Sequence, residues 1–141
     1  MRRPSEVAIT GRRAAFGDLF NDGHIDVVIN NTDSTPTLLR NRVNTNNQWI
    51  TLKLVGGSKS PRDAIGASVF VTAGGVRQRA DVFSGGSYGS SCDQRLRFGL
   101  GATTKVDTVA VYWPSGRKEE ISLPGIDRII TVVEGSDAFA K

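Results

Sequence analysis

No stretch of ten or more residues in this chain keeps the 3.6-residue apolar period of an amphipathic helix. Its apolar residues fall instead in short runs of Val, Ile, Thr and aromatics, cut by Gly, Pro, Asn and Asp. Runs this short are poor helices, because a helix must be nucleated at a loss before each added residue gains a hydrogen bond. The chain is therefore expected to be all-β, and its 16 glycines and five prolines among 141 residues supply the turns. Hairpins at short spacing with no crossover helix point to an antiparallel β-sandwich.

The clearest strand is Trp49 to Val55, where Ile50, Leu52 and Leu54 alternate with Trp49, Thr51 and Lys53, the pattern of a ribbon buried on one face. Ile25–Asn30 and Thr37–Arg42 flank a turn-forming run from Asn31 to Pro36. Ala67–Thr72 and Val76–Phe83 flank Ala73-Gly74-Gly75 as a hairpin. Arg95–Phe98 is a short strand. Val106–Trp113 places Val109, Val111 and Trp113 on one face and turns through Pro114-Ser115-Gly116 into Arg117–Ile121. Ile129–Val133 is the last strand, and Gly85–Gln94 is too rich in Gly and Ser for a regular element and reads as an ordered loop. A boundary between an N-terminal section and the C-terminal sheet region is expected around Ser58–Pro61.

Composition removes several functions. Hydrophobic residues at 38% and charged residues at 23% suit one ordinary domain, or a domain with a fragment attached. Lys and Arg exceed Asp and Glu by 18 to 14, yet Arg2, Arg3, Arg12 and Arg13 carry much of the excess without interleaved aromatics, so no nucleic-acid partner is expected. No apolar run is long enough for a membrane span, and no apolar stretch follows Arg2 and Arg3, so no signal peptide is read. Cys92 is the one cysteine and His24 the one histidine, which removes disulfides, cysteine zinc sites and histidine triads. No nucleophile elbow, phosphate loop or dinucleotide fingerprint is present, and paired carboxylates such as Asp81 and Asp93 are a weak case for glycan hydrolysis. No enzyme is expected.

One segment carries metal chemistry. Asp18-Leu19-Phe20-Asn21-Asp22-Gly23-His24-Ile25-Asp26 places carboxylates at the first, fifth and ninth loop positions, with Gly at the sixth and the His24 carbonyl at the seventh. Oxygen ligands so spaced can turn inward around Ca2+. The twelfth position is Ile29, which excludes an EF-hand, and the third is Phe20, where Asp or Asn is usual. Asp18, Asp22, His24 and Asp26 could thus hold Ca2+ weakly; the alternative is an Asx-type turn whose carboxylates cap backbone amides with no ion.

Three separated stretches, Arg62-Asp63-Ala64-Ile65-Gly66-Ala67, Gly86-Ser87-Tyr88 leading to Asp93-Gln94-Arg95-Leu96-Arg97-Phe98-Gly99-Leu100-Gly101, and Val111-Tyr112-Trp113-Pro114-Ser115-Gly116-Arg117, resemble the ASPIC/UnbV family, the C-terminal module of proteins similar to cartilage acidic protein. Ala14 to Asn31 resembles the last FG-GAP/VCBS repeat that precedes this module, a β-propeller unit with a calcium loop. The resemblance implies residues 1–45 as a partial propeller-type repeat, 46–135 as the sandwich and 136–141 as a frayed tail. It also implies upstream propeller repeats in a longer parent protein and an extracellular or periplasmic setting.

A lone repeat cannot bury both faces of its sheet, so the fragment either adds strands to the C-terminal sandwich or leaves an apolar edge exposed, and in the second case self-association through that edge is expected. Asp63, Tyr88, Arg95 and Trp113 are the candidate ligand residues, with Asp63 and Arg95 also readable as an ion pair that fixes loops. Two functions compete. The favoured one is a non-catalytic extracellular binding or adhesion module for a protein or glycan, tuned by Ca2+; the alternative is a structural cap closing the end of a propeller.

Overall fold

The computed structural model describes residues 11–136. The basic Arg2-Arg3 segment and nearly all of the expected tail lie outside the described residues. Twelve strands follow in order: β1 Gly11–Gly17, β2 Asp26–Asn31, β3 Thr37–Leu39, β4 Gln48–Val55, β5 Ser68–Ala73, β6 Val76–Asp81, β7 Gly86–Ser87, β8 Ser90–Ser91, β9 Leu96–Gly101, β10 Thr108–Tyr112, β11 Lys118–Ile121 and β12 Arg128–Val133. Among the described residues no helix forms.

Two sheets make an all-β sandwich, one ordered β11-β10-β5-β6 and the other β12-β4-β9. Alternation decides what lies between them. Ile50, Leu52 and Leu54 of β4 meet Leu96, Phe98 and Leu100 of β9 and Ile130 and Val132 of β12, and across the gap stand Val69, Val71, Val109 and Val111. Burying each of these side chains contributes about 1.5–3 kcal/mol. Trp113 closes one end of this core. On the outward face of the other sheet, Arg77 and Arg79 lie over the Phe70 ring, Phe70 meets Tyr112 edge to face, and Lys118 lies over Tyr112.

The sandwich is not wholly antiparallel. β12 runs parallel to β4, with Arg128 beside Ile50 and Val133 beside Val55. The chain between them passes through the opposite sheet and re-enters at the end where β4 began, which lets the two strands point the same way. Asp127 fixes that entry: its amide donates to the Trp49 carbonyl at 2.7 Å, and its carboxylate accepts from the Trp49 amide at 3.0 Å. The expected boundary near Ser58–Pro61 is instead a turn inside the sandwich, since β4 before it is the middle strand of a sheet.

The Gly/Ser-rich loop contains a small element that its composition hid. β7 and β8 pair as a two-residue hairpin with Tyr88 and Gly89 at its tip. Gly89 has φ +59 and lies against Arg13, where a Cβ would come within 2.6 Å of the guanidinium. Before the sandwich, β1, β2 and β3 form a separate antiparallel sheet, with Phe16, Val27 and Leu39 in one cross-strand row and Ala15, Val28 and Leu38 in the next. Consecutive rows point to opposite faces, so both faces of this sheet are apolar.

Candidate functional site

The turn between β1 and β2 seats against the sandwich, and the sequence shows why. Gly23, at φ +84, lies flat on the Trp49 indole: a Cβ there would come within 2.3 Å of the ring. Only a residue without a side chain permits that approach. Asp18 and Asp26 are 1% exposed, and such burial requires full hydrogen bonding. Asp18 accepts from the amides of Asp22 and Gly23, each at 3.0 Å, and Asp26 accepts from the amides of Leu19 at 3.1 Å and Asn41 at 2.9 Å.

From the sandwich side Arg95 reaches into the turn. Its Nη2 donates to the Asp18 carbonyl at 2.8 Å and its Nη1 to Asn21 Oδ1 at 2.7 Å, while its Nε donates to both Asp93 oxygens at 3.0 and 2.8 Å. Arg97 also donates to Asp93, whose amide donates back to the Phe16 carbonyl. Burial works to raise the Asp93 pKa, but the hydrogen bonds and charges of Arg95 and Arg97 outweigh it and hold it at about 2. The Asp93 hydrogen bond in turn raises the Arg95 pKa. One guanidinium thus ties the sheet β1–β3 to the sandwich.

The expected ion pair of Arg95 with Asp63 is corrected by this geometry. The carboxylate bonded to Arg95 belongs to Asp93, two residues away on the same face of the chain, and Asp63 lies on the rim of a neighbouring cleft. That cleft, about 420 Å³, is lined by Lys53, Asp63, Asp93, Gln94 and Arg95. Tyr88 is 81% exposed at the tip of the β7–β8 hairpin. Trp113 does not belong with them. It is 3% exposed in the core and its Nε1 donates to Glu119 Oε2 at 2.5 Å, so it offers no face to a ligand.

The three carboxylates expected to bind Ca2+ each have their oxygens engaged. Asp22 Oδ1 accepts from the His24 amide at 3.1 Å and Oδ2 accepts from Arg40 Nη2 at 3.2 Å; with the bonds of Asp18 and Asp26, all six carboxylate oxygens face N–H donors. The Asp22 pKa is lowered, first by the His24 amide and also by Arg40. His24 is half-buried with Nδ1 at 3.2 Å from Asp22 Oδ1. Among the described residues no group of three or more His, Cys, Asp or Glu is placed to hold a metal. Ser68 and Arg79 lower the Asp81 pKa, and the two arginines lower that of Asp93, the opposite direction from the raised value of a glycosidase general acid.

Asp93, Arg40, Asn21 and Trp49 were not found from sequence. For Asp93 a signal existed, because Asp93, Arg95 and Arg97 at alternate positions share one face of an extended chain. Arg40 and Asn21 act across long sequence separations and left none.

A search of the curated proteins finds no match to the chain. A family model described as ASPIC and UnbV matches residues 57–138. That span holds β5 to β12, both partners of the Asp93–Arg95 pair and the cleft wall at Asp63, and it is more than half of the sequence: the chain belongs to the ASPIC and UnbV family.

Proposed function

We propose that this chain is a non-catalytic structural end module, whose sandwich grips the sheet β1–β3 and presents that sheet to further β-sheet in a longer protein, as the cap of a β-propeller would. One observation carries the reading. Phe16 and Leu39 on one face and Leu38 on the other are exposed, as are Leu19, Phe20, Ile25 and Val43 around them, while the turn joining β1 to β2 is fastened to the sandwich through Arg95. A sheet apolar on both faces and firmly held on one side is shaped for packing between other sheets.

In sedimentation velocity the wild-type chain is expected to self-associate as its concentration rises. Phe16→Lys with Leu38→Lys, which charges both faces, returns it to a monomer with an unchanged near-UV spectrum. A wild-type monomer at high concentration counts against the reading.

A second reading has its own support. Tyr88 stands exposed at the tip of the β7–β8 hairpin, and exposed Phe83 lines a cleft with Asp93, Gln94 and Arg95; these surfaces suit a protein or glycan ligand outside the cytoplasm. Glycan arrays and pull-downs comparing wild type with Tyr88→Ala test it; a ligand lost with Tyr88 supports binding, and no ligand at all leaves the structural role alone.

A further inference from the structure

We infer that the Asp18–Asp26 turn is a calcium-type loop closed from within the chain: Arg40, seated on Phe20, takes the Asp22 carboxylate in place of a divalent ion, and Arg95 clamps the turn through the Asp18 carbonyl and Asn21. Arg40 bonds Asp22, Arg95 and Arg97 bond Asp93, Arg95 also bonds the Asp18 carbonyl, and the buried Asp18 and Asp26 carboxylates accept backbone amides. Carboxylates at the first, fifth and ninth positions of a loop, with glycine at the sixth, are what a calcium loop uses to draw the backbone round an ion. Here the same bend at Gly23 is held by amide donors on Asp18, and the positive charge arrives on side chains.

Phe20 explains the arrangement. A carboxylate at the third position would supply an ion with another oxygen. The ring found there lies under the Arg40 guanidinium, 3.8 Å from carbon to ring centre, and so places Arg40 Nη2 on Asp22 Oδ2. A guanidinium stacked on an aromatic face keeps its N–H edge free to bond an oxyanion in the ring's plane of approach. The loss of one ligand and the gain of one cation are therefore a single exchange at neighbouring side chains. Arg95 completes it from the other side, bonding the Asp18 carbonyl and Asn21 Oδ1. A divalent ion bound by Asp22 would have to displace Arg40 and approach the nearby charge of Arg95. The turn is thus permanently set, with its shape independent of calcium concentration, and this holds whatever the sheet β1–β3 packs against.

The test uses the whole chain with Ca2+ and with Tb3+, a luminescent substitute for it. Trp49 packs on Gly23, so an ion in the turn would sit close enough to the indole to accept its excitation energy. Wild type is expected to melt within about 1 °C of the same temperature in chelator and in millimolar Ca2+, and to show no Trp-sensitised Tb3+ emission. Phe20→Asp with Arg40→Gln restores the missing oxygen and removes the competing charge; this variant should gain Tb3+ emission and melt about 3 °C or more higher in Ca2+ than in chelator. A wild-type rise in Ca2+ that Asp22→Ala abolishes would overturn the inference. So would a folded double variant with no response to either ion. If the double variant fails to fold, the wild-type melts and emission still decide.

Discussion

Asp93→Ala is expected to lower the unfolding free energy by about 2–4 kcal/mol, measured by urea denaturation, with loss of the joint between β1–β3 and the sandwich. Asp93 is the acceptor for Arg95 and Arg97, whose side chains are mostly shielded from water, so its removal strands two cations that cannot be fully rehydrated. Breaking a buried pair costs more than the pair contributes, because the surviving charge is left uncompensated; the part-exposure of this network places the effect below the upper end of that range. Proteolysis under native conditions should then cut first between residues 17 and 45. Stability unchanged within about 0.5 kcal/mol would show that Arg95 holds the turn without its partner.

The same carboxylate sets an acid limit. Its folded pKa, about 2, lies below the ordinary 3.8, so its contribution is fully present above pH 3.8 and drains away as pH falls through about 2. Asp93→Asn keeps the shape, removes the charge, and should flatten that part of the stability–pH curve while leaving the rest parallel to wild type.

Trp113→Ala should cost about 3–5 kcal/mol, the usual loss for deleting a large buried aromatic. The indole fills the end of the core beside Val111, and its N–H is bonded to Glu119, which also accepts from Arg117 and from the Gly135 amide. Trp113→Phe keeps most of the volume and strands Glu119 Oε2, for a loss of about 1–2 kcal/mol. Urea midpoints separate the two variants. A surface aromatic that served only to stack on sugar would lose ligand and not stability, so a change below about 1 kcal/mol in Trp113→Ala would return it to the ligand surface.

Much of this could be read along the chain because alternation is a local signal. Ile50, Leu52 and Leu54 announced β4, and Val109, Val111 and Trp113 announced the inner face of β10 and the turn after it. Asp18, Asp22 and Asp26 were legible as the carboxylates of one tight turn, since their loop spacing is local. What they face was not legible: Arg95 arrives from 77 residues beyond Asp18 and Arg40 from 18 beyond Asp22, and no periodicity encodes such meetings. Tyr88 was found as an exposed aromatic, but the hairpin presenting it lay inside a segment whose glycines and serines carry no period at all. Nor does a strand's own sequence state its direction against a neighbour, which is why β12 read as one more antiparallel strand.

That direction has a consequence for the order of assembly. β4 is made well before β12, so one of its edges is covered only when the stretch from Arg128 to Val133 slides in beside it. Until then a strand of alternating Ile and Leu waits with half of its backbone groups unpaired, open to any passing chain. This sandwich cannot shut before β12 has been made, so folding should be slow, and a chain stopped before residue 128 should yield aggregate in place of a smaller domain.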